Sequence, residues 1–314
     1  MPQILILGSI NVDLVIRAPR LPRPGETVGS GQFFQSLGGK GANQAVAAAR
    51  ASRTHDRGWG YPPDVALLAA VGDDDFGRLA RETLGREALL LDNLRTIAGQ
   101  PTGTALIVVD KAGENQIAVA GGANEHLLSD VIDSLPQELF TDSKLFLACL
   151  ETPLATVAAG LRRALDSGAI TILNPAPASL AVVESGVLHL VDVLTPNAQE
   201  AAMLSGIAVH DVATATKAGQ KLIEQGCRAV VVTLGPVGAV VVEAGATTNI
   251  PAPSVKSIDT TAAGDAFNGA LAVALCEGKS LVEAARFACR GAAISVTRLG
   301  AQPSLPTRTE IDAA

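Results

Sequence analysis

The stretch 258-IDTTAAGDAFNGALAVAL-275 begins polar, crosses Ala-Ala-Gly, and then reads as an apolar helix with one acid, Asp265, in its first turn. A carboxylate there complements the helix dipole, so capping by itself accounts for it. A helix start is also a ready anion site. The backbone N–H groups of Ala262, Ala263 and Gly264 would converge there with no side chain in the way, and Asp265 would face the same spot, able to take a proton from an attacking hydroxyl.

Outward from this stretch, short β-branched runs alternate with Ala-rich helical patterns along nearly the whole chain. The pattern predicts strands at 3–9, 65–71, 144–150, 169–174, 191–196 and 228–235, and helices at 40–51, 154–168, 197–206 and 214–226, several closing on a Gly as C-terminal caps do. Apolar strands separated by helices imply an α/β fold, a doubly wound and mostly parallel sheet with helices on both faces. Two segments break the rhythm. Residues 12–35 carry short alternating strands with Pro and Gly turns, and 102–123 reads as a hairpin turning at Lys111–Glu114. Both are expected to be antiparallel β structure outside the main sheet. They would form a small lid, built from about residues 13–35 and 101–122 of a single domain spanning 1–314. The segment 52–64 holds the only Trp and the only Tyr and joins a helix to the next strand. That places it at the strand ends opposite the ligand-binding edge, as a surface insertion.

Composition narrows the function classes. Apolar residues make up 48% of 314 and charged residues 18%, enough for a large core, while aromatics at 3% leave that core to Ala, Val, Leu and Ile. The net charge is −7 with no Lys/Arg cluster, which argues against a nucleic-acid partner. The four cysteines (Cys149, Cys227, Cys276, Cys289) are far apart with no C-x-x-C pair, and the four histidines are equally scattered, so zinc-ribbon and disulfide-scaffold readings fail on spacing. The start MPQILILGSI has no basic leader before its apolar run and no stretch reaches membrane-spanning length, so a soluble cytoplasmic protein is expected.

Other motifs carry weaker signals. In 36-SLGGKGANQAVAAAR-50 the spacing fits neither a P-loop nor a dinucleotide fingerprint, but Gly38, Gly39 and Gly41 at a helix start would let a ligand approach bare backbone, with Asn43 projecting from the first turn. A Gly-rich lead into an ordinary helix is an equal reading. In 8-GSINVDLV-15, Asn11 and Asp13 lie on one side of an extended segment, an amide and an acid suited to vicinal hydroxyls, against the alternative of an Asx turn. In 195-TPNAQE-200, Asn197 and Glu200 could face phosphates or a hydrated magnesium ion, or could be a capping box and nothing more. The turn 233-TLGPVG-238 could cradle a nucleotide, though such turns are common in α/β proteins.

Together these motifs resemble the ribokinase family, within the wider ribokinase/phosphofructokinase-B superfamily of sugar kinases. The resemblance runs from 5-LILGSINVD-13 to 299-LGAQPS-304, and 259-DTTAAGDAFNGA-270 matches the superfamily signature DTxAAGDxFNGA. GSINVD, PRPGETV, GGKGANQAVAAAR, NPAPA and VTRLGAQPS look like the ribokinase branch. The resemblance implies ATP-dependent phosphorylation of D-ribose at its 5-hydroxyl. Asn11 and Asp13 would bind sugar hydroxyls, with Gly39, Lys40, Gly41, Ala42, Asn43 and Glu151 completing the sugar site. Asp265 would be the base, and Ala262, Ala263 and Gly264 would hold the γ-phosphate. Asn197 and the turn Thr233, Leu234, Gly235, Pro236, Val237, Gly238 would line the ATP site, with Gly264 and Cys289 also beside the nucleotide. Glu200 would position magnesium through water. Asp259, Thr261, Ser295, Arg298, Gly300 and Ser304 match a loop pair that holds potassium in ribokinases, largely through carbonyl oxygens. A homodimer through the lid is implied as well. A base near its ordinary carboxylate pKa would serve, because the hydroxyl proton leaves late in a loose transition state.

Two features depart from the family pattern: Cys289 stands where a polar residue is common near the adenine, and 52–64 has no counterpart. Alternative functions are a related kinase acting on 2-deoxyribose, fructose or a nucleoside such as adenosine, and a non-catalytic sugar- or nucleotide-binding regulator. Asn11 beside Asp13 favours ribose. A nucleoside would need apolar lid residues around its base, and the lid's aromatics are Phe33 and Phe34. A regulator would be expected to lose the base or the anion hole, yet Ala262–Asp265 are intact.

Overall fold

The computed structural model describes residues 3–52 and 65–314, so the expected insertion lies, beyond Ser52, outside the described residues. In the first half the chain forms β1 (Ile4–Leu7), β2 (Asn11–Arg17), β3 (Gln32–Gly38), α1 (Lys40–Ser52), β4 (Val65–Gly72) and α2 (Asp75–Leu84). There follow β5 (Leu89–Leu90), β6 (Leu94–Ile97), β7 (Gly103–Val109), β8 (Asn115–Ala120), α3 (Ser129–Asp133), α4 (Glu138–Thr141), β9 (Leu145–Cys149) and α5 (Leu154–Asp166). The second half forms β10 (Ile170–Asn174), α6 (Ala181–Glu184), β11 (Val193–Leu194), α7 (Ala198–Ser205), α8 (Val212–Glu224) and β12 (Ala229–Thr233). It ends with β13 (Gly238–Glu243), β14 (Ala246–Pro251), α9 (Ala263–Cys276), α10 (Leu281–Ser295) and α11 (Arg308–Asp312).

The main sheet runs β14-β13-β12-β11-β10-β9-β1-β4-β5, with β6 also paired to β4. It is parallel from β12 to β5, as expected, and closes with the antiparallel pairs β12–β13 and β13–β14. Its central strand shows why the strands read as unbroken apolar runs. Ile4 and Ile6 of β1 join the core beneath α1, α9 and α10, while Leu5 and Leu7 join the core beneath α5, α7 and α8. Side chains alternate across the sheet and both faces are covered.

A second sheet has the order β3-β2-β7-β8. The pairs β2–β3 and β7–β8 are antiparallel, and the hairpin turn falls between Val109 and Asn115 as read. The two excursions are not antiparallel throughout, however: β2 and β7 pair in parallel, from Asn11 opposite Gly103 to Arg17 opposite Val109. Both strands leave the same edge of the main sheet in the same direction, so they can only pair that way.

The second sheet is rooted firmly. Only Gly8–Ile10 separate β1 from β2, so one strand passes almost straight from the centre of the main sheet into the small one. At this root Ile10 N–H donates to Asn124 Oδ1 at 2.9 Å, while Asn124 Nδ2 donates to the Ile10 carbonyl at 3.0 Å and to Asn11 Oδ1 at 2.9 Å. At the root of β7, the Thr102 N–H and hydroxyl donate to the Asp74 carboxylate at 2.8 and 2.6 Å, and the hydroxyl accepts from Gly72 N–H at 2.9 Å.

Helices α1 and α9 pack almost backbone to backbone. A β-carbon at Gly269 would lie 2.5 Å from Ala47 Cβ and 2.7 Å from the Ala48 nitrogen. The glycine of the signature is therefore required by close approach, and any side chain there forces the helices apart. Among the described residues no helix is long and apolar enough to cross a membrane.

Candidate active site

The edge where β10, β11 and β12 end meets the starts of α1, α7 and α9 around a cavity of about 220 Å³. Of the residues named from the sequence, Lys40, Asn197, Glu200, Thr233, Ala262, Ala263, Gly264 and Asp265 line it. Asn174, Ala176, Thr195, Thr260 and Asn268 line it too, none of them singled out from sequence. A hollow of about 260 Å³ beside Gln220 and the β13–β14 turn contains a single carboxylate, Glu243, and none of the site residues read from the sequence.

Asp265 sits in the first turn of α9 and is 7% exposed. Its Oδ2 accepts from Asn43 Nδ2 at 3.0 Å and its Oδ1 from Gln44 Nε2 at 3.1 Å, both on α1. The Gly269 packing brings that helix this close. The Gly-rich segment therefore does more than lead into a helix: Gly39 takes φ +87°, and a β-carbon on Gly41 would strike the Gly8 backbone at 2.4 Å. Burial raises the Asp265 pKa; Lys40, Asn43 and Gln44 pull it down, and the Glu151 charge pushes it further up. An ordinary carboxylate pKa would have served, and the upward direction makes Asp265 a better proton acceptor near neutral pH.

Ala262 takes the left-handed conformation, φ +59°, immediately before α9. A left-handed residue followed by helical ones turns successive N–H groups into a concave nest. Ala263 N–H also reaches back to the Thr260 carbonyl at 3.2 Å, which tightens the turn. A β-carbon on Gly264 would meet nothing within 4 Å, so the space before this turn is open. The turn is braced from below by Asn268, whose Nδ2 donates to the Gly264 carbonyl at 2.8 Å and whose Oδ1 accepts from the Thr195 hydroxyl at 2.6 Å.

On the other side of Asp265 lie the residues read as a hydroxyl grip. Asn11 and Asp13 are in β2 itself and not in an Asx turn. Gly103 and Gly38 leave the room their side chains occupy: a β-carbon on Gly103 would lie 2.3 Å from Asn11 Oδ1, and one on Gly38 2.3 Å from Asp13 Oδ2. Burial, then the charges of Glu151 and Asp265, raises the Asp13 pKa to about 6. Glu151, just past β9, accepts from Lys40 N–H at 3.0 Å and from the Ser9 hydroxyl. Burial opposes the Lys40 charge, but Asp265, Glu151 and Glu200 together raise its pKa above the ordinary value. Gly41 and Ala42 are buried beneath this side, in the first turn of α1.

The capping box is present and faces the cavity. Asn197 N–H donates to Glu200 Oε2 and Glu200 N–H to Asn197 Oδ1, both at 2.9 Å. Asn197 also bridges to Thr233, which starts the turn Leu234–Gly238. In that turn Gly235 and Gly238 have φ of +56° and +112°, and Pro236 and Val237 complete a single 3-10 turn. Burial raises the Glu200 pKa against the Asn197 hydrogen bond and Lys40. Cys289 lies apart from the cavity lining, buried on α10 in the core, and burial raises its thiol pKa to about 11.

The two loops expected to hold a cation are laced together. Ile258 and Asp259 N–H donate to the Val296 carbonyl, and Asp259 Oδ2 accepts from Gly300 N–H at 2.8 Å. Asp259 Oδ1 accepts from the Thr261 N–H and hydroxyl, Ser295 and Ser304 donate their hydroxyls to carbonyls of their own turns, and Arg298 pairs with Glu310. The polar side chains named for this loop pair are thus engaged within the two loops and with Glu310. Among the described residues no group of three His, Cys, Asp or Glu is arranged to hold a metal.

Comparison with known proteins matches residues 1–308 to the family model described as pfkB family carbohydrate kinase. A ribokinase of Haemophilus influenzae is 42% identical over 306 residues, covering 97% of this chain and 95% of that protein. A ribokinase of Schizosaccharomyces pombe is 37% identical, covering 99% and 97%. Among solved structures, a ribokinase of Thermotoga maritima superposes with TM-score 0.87 at 36% identity, covering 100% of this chain and 99% of that one. An Arabidopsis thaliana ribokinase complexed with ribose and ATP superposes with TM-score 0.86 at 30% identity, covering 99% and 98%.

Proposed function

The chain belongs to the pfkB family of carbohydrate kinases, and we propose that it transfers the γ-phosphoryl group of ATP to the 5-hydroxyl of D-ribose, giving ribose 5-phosphate and ADP. One observation carries the reading: a buried carboxylate, Asp265, held by two amides of α1, stands directly behind a left-handed helix turn with open space before it. Asn11 and Asp13 take the sugar's vicinal hydroxyls, aided by Gly39–Asn43 and Glu151. The 5-hydroxyl oxygen forms the new bond to phosphorus as the bond to the β-phosphate bridging oxygen breaks. Asp265 receives the hydroxyl proton, and the N–H groups of Ala262–Gly264 take up charge on the transferring group. Alignment supplies most of the acceleration, since phosphoryl transfer asks little covalent help of the protein.

Asn197 and Thr233–Gly238 line the nucleotide side, and Glu200 would act on a magnesium ion through water; that ion neutralises phosphate charge when bound. Asp259, Thr261, Ser295, Arg298, Gly300 and Ser304 would hold potassium, chiefly by carbonyls, and so order the turn at Ala262. The small sheet is a lid that keeps water, a competing nucleophile, from the phosphoryl group. The protein works in the cytoplasm, where its four free cysteines stay reduced, and it pairs with a second copy through the lid.

ATP consumption across a panel of sugars tests this reading, run with potassium and again with sodium. Ribose is expected to be the best substrate, with faster turnover in potassium. A preference for fructose or a nucleoside would overturn the substrate, and equal rates in the two salts would overturn the cation. Asp265→Asn is expected to cut turnover by roughly a hundredfold or more with sugar binding nearly intact.

A further inference from the structure

A carboxylate buried like Asp265 tends to protonate unless its surroundings prevent it. The groups facing it come from four elements: Lys40, Asn43 and Gln44 from α1, Glu151 from the segment after β9, Asp13 from β2 and Glu200 from α7. The three acids favour the neutral form. Lys40 and the two amides oppose them.

Asn43 belongs to the sugar-binding set, but Gln44 is 0% exposed and lies beneath that surface. Its Nε2 lies 3.1 Å from Asp265 Oδ1 and 3.0 Å from Asn174 Oδ1, so each amide hydrogen has an acceptor. Asn174 is fixed in turn, because its Nδ2 donates to the Thr195 carbonyl at 3.0 Å. Reversing the Gln44 amide would set an oxygen against two acceptor oxygens, so the side chain can only donate. Its Oε1 is buried with no partner among the described residues. A leucine would fill the same space without an orphaned oxygen, so packing alone does not account for the glutamine.

We propose that Gln44 is a positioning residue for phosphoryl transfer: with Asn174 locking its amide, it holds Oδ1 of Asp265 as a charged acceptor and fixes the direction in which the carboxylate faces the sugar hydroxyl. This rests on Asp265 being the base. Gln44→Met keeps the length and removes the donor. The pH dependence of kcat/KM for ribose is then measured for Gln44→Met, Asn174→Ala and the unaltered protein. Without the donor the base binds its proton more tightly, so activity is lost at higher pH as the solution is acidified. The acidic limb of Gln44→Met is expected to move up by about one pH unit. Its kcat falls by up to about tenfold on the acid side of the limb and recovers as the pH rises, while KM for ribose stays within about twofold. Asn174→Ala shifts the limb the same way by less.

In an Asp265→Asn background Gln44→Met should add no further loss. A loss independent of pH, or one additive with Asp265→Asn, would overturn the role of Gln44. An Asp265→Asn protein with normal turnover would overturn the base itself, so the two failures are distinguishable. If the melting transition shows that Gln44→Met does not fold, Asn174→Ala, which leaves Gln44 in place, decides the matter by whether its limb moves.

Discussion

At the scale of single residues, Asp13 is where charge and the proposed sugar binding are most directly linked. Its pKa of about 6 comes from burial first and from Glu151 and Asp265 next. The folded state therefore holds the Asp13 proton more tightly than the unfolded chain, whose carboxyl sits near 3.8. Its contribution to stability is complete below the unfolded value and is lost as pH rises through about 6, so at pH 8 the ionised group costs stability. Asp13→Asn, which keeps the shape and drops the charge, is expected to raise the melting temperature by a few degrees at pH 8 and to change it little near pH 4. The same substitution should weaken ribose binding, because a carboxylate accepting from two hydroxyls becomes an amide that accepts on one side only. In the unaltered protein KM for ribose should climb as pH falls below about 6. Equal melting temperatures at both pH values would mean that Asp13 is not held near 6.

At the scale of elements, the start of α9 combines a strained turn, a glycine with empty space beside it, and a brace from Asn268. Gly264→Ala puts a methyl group where nothing lies within 4 Å. It also replaces a poor helix former by a good one, worth roughly 0.5–1 kcal/mol in a helix interior and less this near the end. The variant should fold with unchanged or slightly higher stability while turnover falls at least tenfold, the methyl intruding on the phosphoryl group. Full turnover with the methyl in place would mean the phosphate lies elsewhere.

This element was the most legible in the sequence, because its small residues, its acid and its helix start are adjacent in the chain. Legibility faded with distance along the chain. The roles of Gln44, Asn124, Asn174 and Asn268 were not legible, since a buried amide reveals its purpose only through partners up to 221 residues away. Strands β13 and β14 were missed after a Gly-rich turn. The parallel pairing of β2 with β7 was missed because each segment's own turn signals speak only for local hairpins.

At the scale of the whole molecule, the small sheet, the proposed lid, presents a surface that a lone copy leaves open. The face carrying Asp13 continues through Phe34, Ile117 and Val119, which are 45%, 56% and 61% exposed. Apolar side chains on a small sheet favour a partner sheet. Sedimentation of the unaltered protein is expected to give twice the chain mass of 31.9 kDa. Val119→Lys should give a monomer that melts as before, with KM for ribose raised at least severalfold as the lid loses its support. A dimer that survives the lysine would place the contact elsewhere.

β2 joins the scales. Its seven residues span about 20 Å, from Asn11 and Asp13 at the main sheet to Arg17 in the lid, with the near end pinned by Asn124. Such a strand would be a lever with its fulcrum beside the proposed sugar site: a small tilt at Asp13 would become a larger swing at the far end. Under the proposed function, recognition and enclosure would then be one movement with two ends. A sugar that seats Asp13 badly would not merely be held loosely; it would prop the cover ajar, and the error would surface as ATP spent on water.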